Sequence, residues 1–400
     1  MGDLSVDPVT FWERLSKLHK TWNVRGRPAF CVPAACLCRA RQQQPLCTLR
    51  GPRLRARARL RGGPALRSDR RFLRRAQAER QQDNSVWKGA DALVIDSGGL
   101  NDDEVYSKSA SLQNWLLGIE FTNTVIIVAS RSVHVLTDGK KAALLEPLRS
   151  AENATLPLDL IVKDKTDKNK ANHAKLIAGI RASHAGATVA CLNKEKPLGD
   201  FAALWRAALA AEEGLAQVEL APALALLLAS KDSAELNCIK RAAVFSAVLL
   251  TKQLVPRIEG VIDEEARVSH EALAQETEDA FGDPKKLGLN LSAENLEPCY
   301  SPIIQSGGAY NLKPSAYSNN ANLASGGTIT LSLGARFKSY CSNVGRTLLI
   351  NPSKEQEKNY KLLSELQIEA IDALKVGEKL SAVHAAVLSK LRNKASGAAG

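Results

Sequence analysis

Residues 328–350, TITLSLGARFKSYCSNVGRTLLI, constrain the fold of this chain more than any other stretch. Residues 328–333 alternate polar and apolar with the period of two that a half-buried strand requires. Gly334 breaks the alternation, residues 338–343 lead back, and residues 346–350 make a second strand. A hairpin of this kind sets two side chains next to each other, so the identity of that pair decides what chemistry the hairpin supports.

Upstream, strand and helix signals alternate. A helix is predicted over 3–22, with Asp7-Pro8 as a start signal and Phe11, Leu15, Leu18 and Trp22 on one face. Short apolar strands are predicted at 90–95, 124–129, 132–137, 158–162 and 188–192. Helices are predicted between and after them at 109–117, 140–150, 170–182, 201–212 and 222–228. The alternation predicts an α/β lobe with a mixed sheet. A long helix follows over 233–257, where Leu236, Ile239, Ala243, Ala247, Leu250 and Leu254 recur at three and four. A second helix is predicted over 263–280, strands and hairpins over 300–350, and helices over 354–374 and 381–391. The most apolar run, APALALLLA at 221–229, is nine residues long, too short to cross a bilayer, and reads as a buried helix. No signal peptide or membrane span is read, and no membrane partner is expected.

The hairpin resembles that of the pita-bread aminopeptidase/creatinase superfamily. In the working enzymes two positions of this hairpin carry Asp, whose carboxylates bridge a pair of divalent metals. The equivalent positions here are Ser332 and Asn343. A hydroxyl and a neutral amide lack the negative charge that hard divalent cations prefer, so both are read as neutral pocket residues rather than ligands of a rebuilt site. SPIIQSGGAYN (301–311) resembles the loop that runs on to a metal-site His in the superfamily. No His lies between His270 and His384, and Pro314 or Ser315 stands where that His is expected. KDSAELNCIKRAA (231–243) resembles the helix leading into the catalytic lobe. Residues 351–380 resemble the helix after the hairpin, with Val376-Gly377 in place of the usual Pro-Gly.

IIQSGGAYNLK, RFKSYCSN and VYSKSASLQNWLLGIEFT further resemble the non-catalytic branch of that superfamily, the N-terminal module of the large subunit of the FACT histone chaperone. The resemblance covers residues 1–22 and 86 to about 394. It implies an α/β (α+β) fold: a creatinase-type N-terminal lobe, with a ribonuclease-H-like mixed sheet and helices, followed by a truncated pita-bread aminopeptidase-like domain. The expected organisation is 1–22 as the first helix of the lobe, 23–85 as an Arg-rich insert, 86–229 as the lobe, 230–394 as the partial pita-bread domain and 395–400 as a tail. It implies no enzymatic activity, no cofactor and no metal. It implies a nuclear, chromosomal protein that binds core histones or nucleosomes during transcription elongation, DNA replication and DNA repair. An HMG-box-type small subunit would join through regions absent here, and replication factors are further partners. The chain is expected to be an N-terminal fragment or a truncated gene model, since the second half-repeat with the remaining ligands is missing. The alternative is a metal-dependent aminopeptidase of Xaa-Pro or methionine type.

The net charge of +12 first points to nucleic acid. Its location alters that. Residues 24–77 hold 15 Arg, no Lys and one acid, Asp69, and the rest of the chain carries 39 basic against 41 acidic residues. The segment lacks Ile, Asn, Tyr, Trp, Lys and Glu and is dominated by residues of GC-rich codons. It interrupts a short linker abruptly and reads as a retained intron, disordered if translated, with a short helix at 67–80. The alternative, a basic arm on phosphates, lacks a stacking ladder: Phe30 and Phe72 are its only aromatics.

Cys31, Cys36, Cys38 and Cys47 have no zinc-site spacing, and Cys191, Cys238, Cys299 and Cys341 are scattered and read as reduced core or edge thiols. Arg336, Lys338 and Arg346 are the candidates for lining a peptide groove, with Arg346 alternatively bracing the hairpin. Ser306 has no His and acid arranged around it in sequence, so Ser-Gly there reads as a turn. His19, His270 and His384 fall on helices and are read as surface or core-edge residues. Asp102-Asp103-Glu104 and Asp263-Glu264-Glu265 are read as solvated turns or helix starts rather than docking sites for basic tails.

Overall fold

The computed structural model describes residues 6–22, 48–49, 86–99, 107–308, 310–313 and 315–396. Packing divides the chain into two compact units that change over between Ser230 and Lys231. The expected insert and its helix at 67–80 lie outside the described residues apart from Thr48–Leu49, as does the acidic triplet at 102–104.

After helix α1 (Pro8–Trp22) and the two-residue strand β1 (Thr48–Leu49), which belongs to the second unit, the first unit continues with β2 (Ala92–Asp96), α2 (Lys108–Leu117), β3 (Val125–Val128), β4 (Val133–Thr137) and α3 (Gly139–Arg149). Then come β5 (Leu158–Val162), α4 (Lys170–Arg181), β6 (Thr188–Cys191), α5 (Asp200–Ala210), β7 (Ala216–Glu219) and α6 (Ala221–Ala229). Six strands form one mixed sheet in the order β5-β4-β3-β2-β6-β7. β2–β3 and β3–β4 are antiparallel, and the other pairs are parallel. The central strands are buried on both faces, which is why they read as continuous apolar runs. On one face Leu93, Ile95, Ile126 and Val128 pack against Trp12, Leu15 and Leu18 of α1. On the other, Val94, Ile127 and Val189 meet Ile180 of α4 and Trp205 of α5. The lobe is therefore a three-layer α/β/α sandwich. β7, AQVE, is an edge strand of only four residues, the first two exposed, too short for its alternation to mark a strand in the sequence.

Buried polar groups pin the layers. The indole N–H of Trp12 donates to the Leu148 carbonyl at 3.0 Å, and that of Trp22 to the Ala90 carbonyl at 2.9 Å. Asp96, only 2% exposed, takes a two-point bond from Arg206 across the sheet edge. The Asp91 carboxylate accepts the backbone N–H groups of Ala185, Ala187 and Thr188 at 3.2, 2.9 and 3.0 Å, joining the start of β2 to the turn before β6.

The second unit opens with α7 (Ser233–Leu249), capped by a reciprocal box between Asp232 and Glu235. It runs without a break through a π-helical turn, Leu250–Leu254, into α8 (Val255–Asp263). The helix outlasts the expected stop at 257, and the wider turn has a physical cause. Pro256 has no N–H and its ring would clash with the carbonyl four residues back, a conflict a π-turn relieves. The next helix, α9, starts only at His270 (His270–Asp279), because Ser269 caps it. Strands β8 (Leu296–Pro298), β9 (Ile303–Gln305), β10 (Gly327–Leu333), β11 (Ala335–Phe337), β12 (Tyr340–Cys341) and β13 (Val344–Ile350) follow, then α10 (Lys354–Ala373) and α11 (Leu380–Ser396). The sheets have the orders β1-β13-β10-β9 and β12-β11-β8. Phe245, Leu249, Ile258 and Phe281 pack with Ile304, Ile329 and Leu331 to form the core. The parallel pairing of β1 with Leu349–Ile350 departs from the disorder expected of the insert. An outer strand such as β13 offers unpaired backbone groups that any extended segment can cover.

Replacing Asp91 by Ala strands three backbone donors in the first lobe. The expected loss is about 3 kcal/mol or more of folding free energy, read by urea unfolding. An unchanged midpoint would show that these contacts do not hold the lobe.

A candidate binding groove at the crossing hairpin

The hairpin is one ribbon that changes sheets at Gly334. β10 pairs β13 antiparallel, with Ser332 opposite Gly345 and Leu333 opposite Val344. β11 pairs β12 through Arg336–Cys341 and Phe337–Tyr340. The two residues between, Lys338 and Ser339, both have positive φ, 47° and 68°, as a tight two-residue hairpin turn requires. At the crossing the strands come so close that a Cβ on Gly334 would sit 2.3 Å from the Ser342 carbonyl oxygen. The crossing is bolted to α7: Ser246 Oγ lies 2.6 Å from Ser342 Oγ and accepts the Ala335 N–H at 3.0 Å.

This geometry brings Ser332 and Asn343 together, with Ser332 Oγ 3.4 Å from Asn343 Oδ1. A third residue stands between them. The Tyr300 hydroxyl lies 2.7 Å from Ser332 Oγ and donates to Asn343 Oδ1. Burial pushes the Tyr300 phenol above its ordinary value, partly opposed by the Ser332 hydrogen bond, so it stays a neutral donor. The donor set around 332 and 343 is a hydroxyl, an amide and a phenol, and it does not fit a pair of hard divalent cations. Among the described residues no group of three or more His, Cys, Asp or Glu is placed to hold a metal. Ser315 is exposed, and Pro314 lies outside the described residues.

A groove of about 990 Å³ opens over this trio, between the hairpin, the loop after β9 and α10. Its walls include Gln305, Asn311, Thr347, Tyr360 and Gln367. The Gln305 side-chain amide clamps the loop with two hydrogen bonds, donating to the Asn311 carbonyl at 3.1 Å and accepting the Asn311 N–H at 2.7 Å. The charged side chains on the lining are Lys313 and Arg346, with no Asp or Glu. Arg346 faces the groove while its guanidinium donates to the Gly345 carbonyl at 2.7 Å. Arg336 and Lys338 lie off the lining, Arg336 paired with Glu297 and Lys338 exposed at the hairpin tip.

The fold also assembles a group that spacing concealed. His270 Nε2 lies 2.7 Å from Ser306 Oγ, and His270 Nδ1 lies 2.8 Å from Asn319 Oδ1. Ser306 thus has a His beside it, contrary to the expectation from sequence, and His270 is 3% exposed rather than a surface residue. The third member is an amide, and Ser306 Oγ already accepts the Ala324 N–H at 2.9 Å. With His270 N–H bonded to the Ala321 carbonyl and Leu323 N–H to that of Val268, the group works as a latch for the loop at 319–324. His384 is exposed on α11, and His19 is half-buried against the Ser130 carbonyl.

The two units place a creatinase-type lobe before a pita-bread aminopeptidase-like body. Residues 237–399 match the metallopeptidase family M24. An X-Pro aminopeptidase from Thermotoga maritima has the same fold, with a TM-score of 0.56 at 16% identity, over 76% of each chain. Residues 69–223 match the N-terminal lobe domain of FACT complex subunit SPT16. The N-terminal domain of that subunit from chickpea aligns with a TM-score of 0.74 at 31% identity, over 96% of this chain and 77% of that one. The chain belongs to the family of SPT16 N-terminal domains. FACT complex subunit SPT16 of Dictyostelium discoideum is 36% identical over 315 residues, 78% of this chain, and the chain spans 29% of that relative's length.

Tyr300→Phe removes the hydroxyl that joins Ser332 to Asn343. A loss of about 1 kcal/mol is expected from urea unfolding. Because the folded phenol titrates above 10.0, its contribution is present below that pH and lost as pH rises through the folded value. Absorbance titration should show one late phenol that the variant lacks.

Proposed function

We propose that this chain is a non-catalytic peptide-binding module of a FACT-type histone chaperone, with the groove over Tyr300 as its docking site. The observation that carries the reading is the Tyr300 phenol bonded between Ser332 and Asn343. Aminopeptidase chemistry of this fold needs a metal-generated hydroxide, and a metal of that kind needs anionic ligands that these positions do not supply. The alternative, a metal-dependent aminopeptidase, draws on the M24 match over 237–399. It has to find its carboxylates elsewhere.

Lys313 and Arg346, with no acid facing them in the groove, favour a peptide with a carboxylate, either acidic side chains or a free C-terminus. A Lys-rich histone tail would meet the wrong sign of charge there. In this reading the module takes an acidic segment of a chromatin or replication factor. Core histones and nucleosomes engage the whole assembly, and an HMG-box-type small subunit joins through other regions of the large subunit. The module acts in the nucleus, on chromosomes, during transcription elongation, replication and repair.

Two measurements test this. Incubated with cobalt or manganese and an Xaa-Pro peptide, the purified chain should release no amino acid; stoichiometric metal with turnover overturns the proposal. In fluorescence anisotropy, Arg346→Glu should weaken binding of a short acidic peptide by roughly tenfold, because a favourable charge becomes a repulsive one. Equal binding of acidic and Lys-rich peptides, unaffected by this change, would remove the groove from the proposal.

A further inference from the structure

Among the described residues Cys191, Cys238, Cys299 and Cys341 are all thiols rather than disulfides. Scattered in sequence, two of them meet in the fold. Cys299 leaves β8 and Cys341 ends β12, and these strands flank β11 on its two sides. The Cys299 N–H donates to the Gly334 carbonyl at 2.9 Å, which sets Cys299 beside the glycine at the crossing, where there is no side chain. A Cβ there would lie 3.4 Å from Cys299 Cβ and 2.3 Å from the Ser342 carbonyl oxygen. Through that gap Cys299 Sγ reaches to 3.6 Å from the same oxygen, the backbone of the residue next to Cys341, and the Cys341 thiol is near enough to push the Cys299 thiol upward. Cys341 is exposed and Cys299 half-buried.

We propose that Cys299 and Cys341 form a redox modification site that a glutathione-type disulfide converts into an intramolecular disulfide. The exposed Cys341 attacks first, as its thiolate. Its sulfur bonds to one sulfur of oxidised glutathione, the glutathione S–S bond breaks, and one glutathione leaves as thiolate. Cys299 then gives up its proton to solvent and attacks Cys341 Sγ, and the second glutathione thiolate leaves. Two protein thiols lose two electrons in total, one glutathione disulfide gains them, and the two protons end on the two glutathione thiols. Cys299 is the resolving thiol, because the Cys341 neighbour and burial both push its titration upward. Cys191 stays out of this exchange, buried and pushed up to about 12.

The bond would tie the residue before Tyr300 to the residue two before Asn343, fixing one wall of the groove. Its formation is independent of what the groove binds, so the two proposals fail separately. To test it, the full chain is equilibrated with oxidised and reduced glutathione, remaining thiols are trapped with a maleimide, and peptides are mapped by mass spectrometry. Mapping separates this pair from the four cysteines at 31–47. The expected product is a Cys299–Cys341 disulfide, with melting raised by about 5 °C over the reduced chain. Cys299→Ser should instead stop with glutathione on Cys341, and Cys341→Ser should leave Cys299 reduced. Circular dichroism checks that both variants fold. Wild-type protein that stops at glutathionylated Cys341, leaves both thiols free for maleimide, or pairs either with another cysteine overturns the proposal.

Discussion

The close approach of two strands at Gly334 is the constraint on which the second unit depends. Any side chain at this position would collide with the Ser342 carbonyl, so the ribbon crosses from one sheet to the other only with glycine there. Because it crosses, Ser332 and Asn343 end within one hydrogen bond of each other, Tyr300 slots between them, and Cys299 lies beside the returning strand. Ser246 of α7 holds the crossing from behind through Ser342 and Ala335. One backbone contact therefore fixes the floor of the groove and the geometry of the thiol pair.

What residues 332 and 343 can hold follows from their chemistry. Carboxylates held this close repel each other unless cations sit between them, whereas a hydroxyl, an amide and a phenol satisfy one another directly. The Tyr300 phenol stabilises the pair by closing a chain of neutral hydrogen bonds, and burial keeps it protonated. The groove above them measures about 990 Å³ and has two cationic side chains on its walls. A concave site with both charged side chains of one sign on its lining is the kind of surface that discriminates ligands by charge.

The first lobe is organised differently. Its sheet is covered on both faces, and its stability rests on apolar layers pinned by a few fully satisfied polar groups: Asp91 on three backbone N–H groups, Asp96 on Arg206, and two indoles on carbonyls. Each buried carboxylate has its donors, which is the condition under which such groups specify a register instead of destabilising it.

The sequence by itself determined the elements and the class. The period of two at 328–333 and the alternation of strand and helix before 230 reflect burial on a defined face, and such patterns survive in one dimension; along α7 the spacing showed the helix but not its buried face, since Ala243 and Ala247 are exposed and Ala242, Phe245, Ser246 and Leu249 are buried instead. That Ser332 and Asn343 are uncharged was legible because residue identity needs no coordinates. β7 was not legible, since an alternation of four residues is too short to mark a strand. The end of α8 lies at Asp263 rather than 257, because Ile258 and Val261, beyond the periodic run read from sequence, are buried. Only the tertiary structure decided that Tyr300 fills the space between 332 and 343. It alone turned Ser306, His270 and Asn319 into a latch, placed Arg346 but not Arg336 or Lys338 on the groove, and made neighbours of two scattered cysteines. These are contacts between residues far apart in the chain, and their distances are set by strand crossing and register, which no local pattern encodes.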